Sequence, residues 1–482
     1  MNISATGASR LALPHEARIS PAVLLTAAQL SRGLFRLFFV ITIARVLGPG
    51  RFGVYTLLLA MVEMLAVASG TGYMDYLSRE AARDDRLGWG LGAQLIWLRL
   101  AYTVPLTVLG LGLLWLLGYP RLVLLATAGM SLTLLPRSLS EAVQGVLRGT
   151  GRYAEFLIVE LVLGLTLAAA ACLLVVRGGQ LGTAIVAELA AAVVAAVAGL
   201  AFALKFRTKQ RLQLKLSRLI KTSAIFNIYA FVGNLYDRLD VVMLSKLAGD
   251  YATGIYGAAY RSIGMVQLLP YGVLYSLLPE LTRGDAPAHQ RERLEKAMGL
   301  LLGAAFVIVL TTMVFADVLA PALLGARFSE SATALKILVW AVILRYMNYA
   351  LNVKLLASGQ ERVFVMTSGI CLGVNVIGNL VFIPIFSWRA AAALTIVTEL
   401  VLLLQNGYWL GRTDSGIPKP LGWPRMSLAF VIALFAIRAG GRLASPLLVG
   451  SVCLAAFLVY LYRIGMVTEF ASIWRMEPGT TL

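Results

Sequence analysis

The chain has 482 residues, of which 59% are hydrophobic and only 14% are charged, and its mean hydropathy is +0.81. No soluble domain of this size stays in solution with such a composition, which therefore predicts a membrane protein. The formal net charge of +18 does not indicate nucleic-acid binding, because the Lys and Arg residues are spread over many short loops and form no single patch.

Residues 1–21 carry basic residues but no apolar core followed by a small-residue cleavage site, so we predict a cytoplasmic N-terminal tail. The rest of the chain is a series of apolar runs of roughly twenty residues, the length of a membrane-spanning helix. A β-barrel would instead show alternating segments of about ten residues. Because backbone polar groups in hydrocarbon must be hydrogen-bonded internally, the pattern predicts an all-α polytopic membrane protein.

Apolar windows predict about fourteen transmembrane helices. A first group of six is predicted at 22–47, 52–69, 89–117, 122–146, 156–176 and 181–206. A second group of six, followed by two more spans, is predicted at 223–247, 251–278, 297–319, 332–357, 363–386, 390–410, 424–437 and 446–462.

The two groups of six spans predict two lobes. The predicted units are the tail 1–21, an N-terminal six-helix lobe 22–206, a basic cytoplasmic linker 207–221, a C-terminal six-helix lobe 222–411, two additional helices 412–464 and a cytoplasmic tail 465–482. With the N-terminus inside, roughly two dozen Lys and Arg are cytoplasmic and about eight are external, as the positive-inside rule requires. Both termini are then cytoplasmic.

Three sequence matches in the same order indicate that the lobes are copies of an internal repeat. Gly53 and Tyr55 in RVLGPGRFGVY match Gly254 and Tyr256 in KLAGDYATGIY. The other two matches are LRGTGR (147–152) with LLASGQ (355–360), and TAIVAEL (183–189) with LTIVTEL (394–400). Each unit has an even number of spans, so the copies cross the membrane in the same orientation.

Ionisable residues within the spans are the main functional signal, because a charge at the bilayer centre costs about 2.5–3.5 kcal/mol and needs a wet cavity or a partner. Six residues are predicted to bind substrate: Arg32, Arg36, Gln29, Arg261, Asn234 and Arg345. We interpret them as the lining of a net cationic cavity, in which guanidinium groups make bidentate contacts to phosphate or carboxylate. The alternative is structural: Asp237 and Asp240, for example, could simply neutralise Arg238.

Buried acids could couple transport to an ion, because burial favours the protonated carboxyl, and the candidates are Glu63 and Asp240. No cofactor is predicted. The stretch GTGRYA at 149–154 fits a dinucleotide-binding pattern, but it lies between two spans with no preceding strand. The two histidines lie in polar segments and the three cysteines lie singly in apolar runs, so neither a metal site nor a disulfide is expected.

The stretch ARVLGPGRFGVYTLLLAMVEMLAVASGTGYMDYLSREAAR (44–83) resembles the first-to-second helix signature of the bacterial polysaccharide transporter family. These are the Wzx-like oligosaccharide flippases of the multidrug/oligosaccharidyl-lipid/polysaccharide exporter superfamily. The stretches that begin NLYDRLDVVMLSKLAGDYATGIYG (234–257) and NVIGNLVFIPIFSWRAAAALTIVTEL (375–400) are similar to the same family. The resemblance therefore covers nearly all of the chain.

The resemblance implies a two-lobed transporter with a central V-shaped cavity, which moves an undecaprenyl-pyrophosphate-linked oligosaccharide across the bacterial inner membrane by alternating access. Relatives line the cavity with the first, second, seventh and eighth helices and carry arginines in the first, where Arg32 and Arg36 fall. Two extra C-terminal spans occur in the lipid II flippases, where they form a lipid groove. The implied partners are the lipid-linked glycan, membrane lipids, and polysaccharide polymerase and export machinery.

Two alternatives stay open at this point. A drug or small-molecule antiporter of the same superfamily would more commonly have about twelve spans and one acid in a less basic cavity. A membrane polymerase, ligase or glycosyltransferase would need an extended outer loop or a soluble domain for its catalytic groups, and the predicted external loops are only a few residues long. A transporter is therefore expected rather than an enzyme.

Overall fold

The computed structural model describes residues 21–70, 73–206, 216–267, 269–270, 272–274, 287–412, 416–440 and 445–465. Except for one residue at the edge of each, the two predicted tails lie outside these ranges, as do residues 207–215 of the predicted linker. Every regular element in the described ranges is helical. The predicted all-α membrane fold is confirmed.

Fifteen α-helices are described. In chain order they are α1 (Pro21–Ala68), α2 (Tyr73–Arg83), α3 (Asp85–Leu116), α4 (Arg121–Ser131), α5 (Leu134–Gly149), α6 (Tyr153–Arg177), α7 (Leu181–Phe206), α8 (Leu216–Gly264), α9 (Pro287–Leu324), α10 (Ser329–Leu338), α11 (Trp340–Ala357), α12 (Glu361–Phe386), α13 (Trp388–Gly411), α14 (Trp423–Gly440) and α15 (Pro446–Arg463). Ten helical segments of the described chain are long and apolar enough to span a bilayer, and α10 with α11, bent by 43°, makes an eleventh.

Helices α1 and α8 are each broken at one glycine. Gly48 has φ 71° and ψ 169°, and Gly249 has φ 84° and ψ 176°, a conformation that glycine adopts without a steric penalty. Without a break, the 48 residues of α1 would form a rod about 72 Å long, more than twice the hydrocarbon thickness of about 30 Å. Each helix therefore supplies two of the predicted spans, joined by a single residue where the sequence predicted short loops.

The predicted fourth span is divided into α4 and α5, with the break at Leu132 and Thr133. Pro136 explains the position of this break. It has no amide hydrogen, and its ring clashes with the carbonyl four residues earlier, which belongs to Leu132.

Helix α2 was not predicted from the sequence. Its buried side chains, Leu77 and Ala81, are four residues apart and lie on one face, against α3 and α5. The approach is close, because a Cβ on Gly149 would collide with the backbone carbonyl of Ser78. The spacing of these two apolar residues was the signal that could have identified this short amphipathic helix.

The second repeat match has the same conformation in both copies. Gly151 has φ 74° and Gly359 has φ 71°. The amide of Arg152 donates to the carbonyl of Leu147 at 2.8 Å, and the amide of Gln360 donates to the carbonyl of Leu355 at 3.0 Å. In both copies the amide of the sixth residue donates to the carbonyl of the first, which is the hydrogen bond that ends a helix at a left-handed glycine.

Helices α1 to α7 pack against one another, helices α8 to α13 form a second group, and α14 and α15 pack on α9. The last contact includes the rings of Phe306 and Phe430, stacked with their centroids 4.1 Å apart. The two large groups meet mainly along α1 and α8, where Phe52, Tyr55 and Tyr256 are fully buried. This contact positions the polar residues of the site.

Candidate functional site

A cavity of about 240 Å³ lies between the first arm of α1 (21–47) and both arms of α8 (216–248 and 250–264). The polar residues that line it are Arg36, Asp237, Arg238, Tyr260, Arg261 and Gln267. Of the six predicted substrate-binding residues, Arg36 and Arg261 therefore lie in one cavity.

The charged residues of this cavity lie at similar distances from the glycine breaks. Arg36 and Asp237 each precede the glycine break of their helix by twelve residues, and Arg261 follows the break of α8 by twelve. At 1.5 Å per residue each side chain is about 18 Å from a break, near the middle of a hydrocarbon layer about 30 Å thick. The cavity thus offers polar groups where a charged ligand has the greatest barrier to crossing.

Arg36 is held within the first group of helices. Its Nη1 donates to Glu188 of α7 at 2.7 Å, and the hydroxyl of Tyr55 donates to the other carboxylate oxygen at 2.5 Å. Tyr55 belongs to the first repeat match and Glu188 to the third, so two of the motifs found in the sequence meet at this pair.

Arg32 faces away from the cavity lining, toward α5 and α6. Both its Nε, at 2.6 Å, and its Nη2 donate to Glu160, and Nη2 also donates to Gln144 at 3.3 Å. Its side chain is 53% exposed, whereas that of Glu160 is 1% exposed. Gln29, one turn earlier, is exposed, and no hydrogen bond to it is present among the described residues.

Arg345 is buried in the second group of helices. Its Nε donates to Glu399 of α13 at 2.6 Å, Asn348 donates to the same carboxylate at 2.9 Å, and Asp237 lies 3.6 Å from the Nη2 of Arg345. Glu399 occupies the repeat position of Glu188, so each copy uses this glutamate to hold an arginine. The sequence placed Arg345 in the cavity, and the structure places it behind Asp237.

The pair of Arg238 and Glu63 joins the two groups of helices. Arg238 lies on the first arm of α8 and Glu63 on the second arm of α1, with 2.7 Å between Nε and Oε2. The two atoms form a close ion pair but are not aligned as a hydrogen bond, since neither has a hydrogen-bond partner among the described residues. Both side chains are about a quarter exposed, 24% and 22%.

Arg261 is the cavity arginine without a carboxylate partner in the described part of the chain. No ion pair to its guanidinium lies within this part, although Glu63 is near enough to attract it, and its Nε is buried with no hydrogen-bond acceptor. A buried charged donor without an acceptor is costly, so a ligand that supplies an acceptor would be favoured at this guanidinium.

Asp240 and Asn234 lie on the same arm of α8 but outside the cavity lining. Asp240 is 4% exposed, accepts the hydroxyl of Tyr256 and accepts the amide of Val241 at 2.7 Å. The Oδ1 of Asn234 is buried without a donor among the described residues. The described residues include no group of three or more His, Cys, Asp or Glu that could hold a metal ion.

The six residues predicted to bind substrate did not include Asp237, Arg238, Tyr260 or Gln267, which line the cavity. The first two lie next to each other on the stripe that contains Asn234, and that stripe was the available signal. The carboxylate partners of Arg32, Arg36 and Arg345 were beyond prediction, because they lie 128, 152 and 54 residues further along the chain.

The fold and the cavity define a class: a polytopic α-helical membrane protein with a polar cavity between its helices α1 and α8. A family profile described as "Polysaccharide biosynthesis protein" matches residues 21–285. This match covers more than half of the chain, and the protein belongs to this family. No curated protein matches the chain in sequence.

Solved structures of transporters have the same fold. The lipid II flippase MurJ in an inward closed conformation has a TM-score of 0.70 and 14% identity, over 92% of this chain and 99% of that chain. An inward-facing multidrug resistance MATE family transporter of the MOP superfamily has a TM-score of 0.64 and 15% identity, over 81% of this chain and 97% of that chain. At 14% and 15% identity these likenesses show that the chain has the fold of these proteins.

Proposed function

We propose that this protein is a flippase that moves an undecaprenyl-pyrophosphate-linked oligosaccharide across the bacterial inner membrane for surface polysaccharide synthesis. The observation that carries the proposal is the guanidinium of Arg261, which lies in a mid-membrane cavity without a carboxylate partner among the described residues. A pyrophosphate supplies the missing acceptors, and an arginine fork matches phosphate oxygens in a bidentate geometry. The hydrated glycan needs the polar path, whereas the lipid tail remains in hydrocarbon.

The charge arrangement favours an anionic cargo over the cationic drug of an antiporter. The carboxylate in the lining, Asp237, is 42% exposed but lies against Arg345 and accepts a long hydrogen bond of 3.4 Å from Tyr260. A site for a cation would leave the carboxylate of Asp237 free to bind the ligand, and Arg261 would be paired with a carboxylate instead. Asp240 remains the candidate for ion coupling. We assign Glu63 a different role, which is to hold the guanidinium of Arg238 in position.

We further propose that α1 to α7 and α8 to α13 move as two lobes, as the predicted division at the linker implies. Both termini are cytoplasmic in this proposal, so the breaks at Gly48 and Gly249 face the outside of the inner membrane. Polysaccharide polymerase and export machinery are the proposed partners on that side.

The test is export in a strain that lacks the chromosomal gene and carries variants of Arg261. Arg261→Gln should lower export of the lipid-linked glycan about tenfold or more, because it removes charge-assisted hydrogen bonds to phosphate. Arg261→Lys should retain part of the activity, since it keeps the charge but loses the fork. The measurement is the amount of undecaprenyl-linked oligosaccharide on the cytoplasmic leaflet, at equal abundance of the protein in the membrane.

The matched control is Arg121→Gln, which removes an exposed arginine at the first residue of α4 and should leave export unchanged. Unchanged export in Arg261→Gln would remove this residue from the site. If no undecaprenyl-linked lipid accumulates in the deletion strain, the cargo is not a lipid-linked glycan and an antiporter is favoured.

A further inference from the structure

The second arms of α1 and α8 touch each other in a two-fold pattern beside the breaks. A Cβ added to Gly53 would collide with the backbone carbonyl oxygen of Asp250, and a Cβ added to Gly254 would collide with that of Pro49. Each glycine lies five residues after the break in its own helix and touches the residue that directly follows the other break. The sequence had matched Gly53 with Gly254, and this mutual contact explains why both positions are glycine.

The contact continues along the second arms. A Cβ on Gly257 would lie 3.1 Å from the Cβ of Thr56 and closer still to its methyl group. The neighbouring side chains Phe52, Ile255 and Thr253 are fully buried. Backbones this close leave no passage between α1 and α8 at this level.

The mid-membrane cavity begins farther from the breaks, at Val40 on α1 and at Tyr260 on α8. The glycine contact therefore separates the cavity from the side of the membrane that the breaks face. Between α1 and α8, a ligand in the cavity can leave on that side only if the two arms move apart.

We propose that Gly53 and Gly254 form a two-fold backbone gate, which closes the cavity on the break side because neither residue has a side chain. A methyl group at either position destabilises the closed gate and leaves the open gate unaffected, so it shifts the equilibrium toward opening on that side. The gate is independent of the cargo, since it depends only on contacts between α1 and α8.

The population of the closed gate is measured by the rate at which a cysteine pair, Thr56→Cys with Gly257→Cys, forms a disulfide. The three native cysteines of the chain are replaced by alanine. The Cβ separation of 3.1 Å is slightly below the usual range of a disulfide, about 3.5–4.5 Å, so the pair should cross-link after a small adjustment. Gly53→Ala and Gly254→Ala should each lower the rate of cross-linking about tenfold.

Two glycines of the same helices serve as controls. Gly50 and Gly233 have no atom within 4 Å of an added Cβ, so Gly50→Ala and Gly233→Ala should leave the cross-linking rate unchanged. Equal rates in all four alanine variants would overturn the proposal.

The open gate is measured separately, by labelling Leu37→Cys in the cavity with a membrane-impermeant maleimide. A cysteine in place of the exposed Arg121 reports which side of the membrane the breaks face. Residue 121 begins α4, directly after the loop in which Tyr119 donates to the carbonyl of Val242 on α8, so it lies on the same side as the breaks. Gly53→Ala and Gly254→Ala should raise labelling from the break side about tenfold and lower it from the opposite side.

The oxidised pair at 56 and 257 decides the question even if the alanine variants are poorly inserted. With the disulfide formed, labelling of Leu37→Cys from the break side should be abolished and should return after reduction. Undiminished labelling with the disulfide in place would show that these arms are not the gate.

Discussion

Arg345→Met should lower the free energy of unfolding by about 3–5 kcal/mol, because it leaves a buried carboxylate without its cation. Glu399 is 3% exposed, and after the substitution the amide of Asn348 would be its remaining side-chain partner in the described structure. Asp237 loses the same cation. The measurement is thermal unfolding of the purified protein in a fixed detergent, compared with the unsubstituted chain.

The double variant Arg345→Met/Glu399→Leu is the critical comparison. Removing both partners takes away the desolvation cost together with the attraction, so most of the lost stability should return. A matched control is Lys336→Met on α10, whose pair with Asp317 is exposed and should be worth less than about 1 kcal/mol. A double variant as unstable as Arg345→Met would show that the buried pair is not the source of the loss.

Reversing the charge of either partner in the pair of Arg238 and Glu63 should lower transport about tenfold or more. Arg238→Glu would place a second carboxylate opposite Glu63, in a contact whose native atoms are 2.7 Å apart, and Glu63→Arg would place a second guanidinium opposite Arg238. Like charges this close in a partly dry site repel strongly. Because this pair joins the two groups of helices, the repulsion acts on the contact between them. The measurement is the rate of export of lipid-linked glycan.

The exchanged pair Glu63→Arg/Arg238→Glu should recover a substantial part of export, because the attraction between the groups is restored. An exposed pair on α9, Glu292 and Lys296 at 2.8 Å, supplies the control. Its exchange, Glu292→Lys/Lys296→Glu, should leave export unchanged. If the exchanged pair at 63 and 238 exports no more than the single variants, the ion pair has no role in transport.

The class of the protein follows from local properties of the sequence. Hydrocarbon requires runs of about twenty apolar residues with internally bonded backbones, and such runs are visible without any knowledge of contacts. The breaks at Gly48 and Gly249 fall where the sequence predicted short loops, at 48–51 and 248–250. The division of the fourth span was not predicted, because a hydropathy window smooths over a single residue such as Pro136 and gave one uninterrupted span at 122–146.

Of the six residues predicted to bind substrate, Arg36 and Arg261 line the cavity, and their role in binding stays a prediction. Spacing of three and four residues predicted that Gln29, Arg32 and Arg36 lie along one stripe, because helical geometry alone decides that. It could not distinguish a guanidinium aimed at a cavity from one that neutralises a buried glutamate. Arg32 and Arg36 are paired with Glu160 and Glu188.

By itself, the sequence of this protein determined a polytopic helical membrane fold, an internal repeat and a set of arginines inside the spans, because the bilayer imposes length and hydropathy on each segment separately. Only the tertiary structure decided which arginine is available to a ligand and how the cavity is closed. Both depend on contacts between helices that are far apart in the chain. Arg261 is available because the carboxylates pair elsewhere, and Gly53 closes the cavity because Asp250 lies against it.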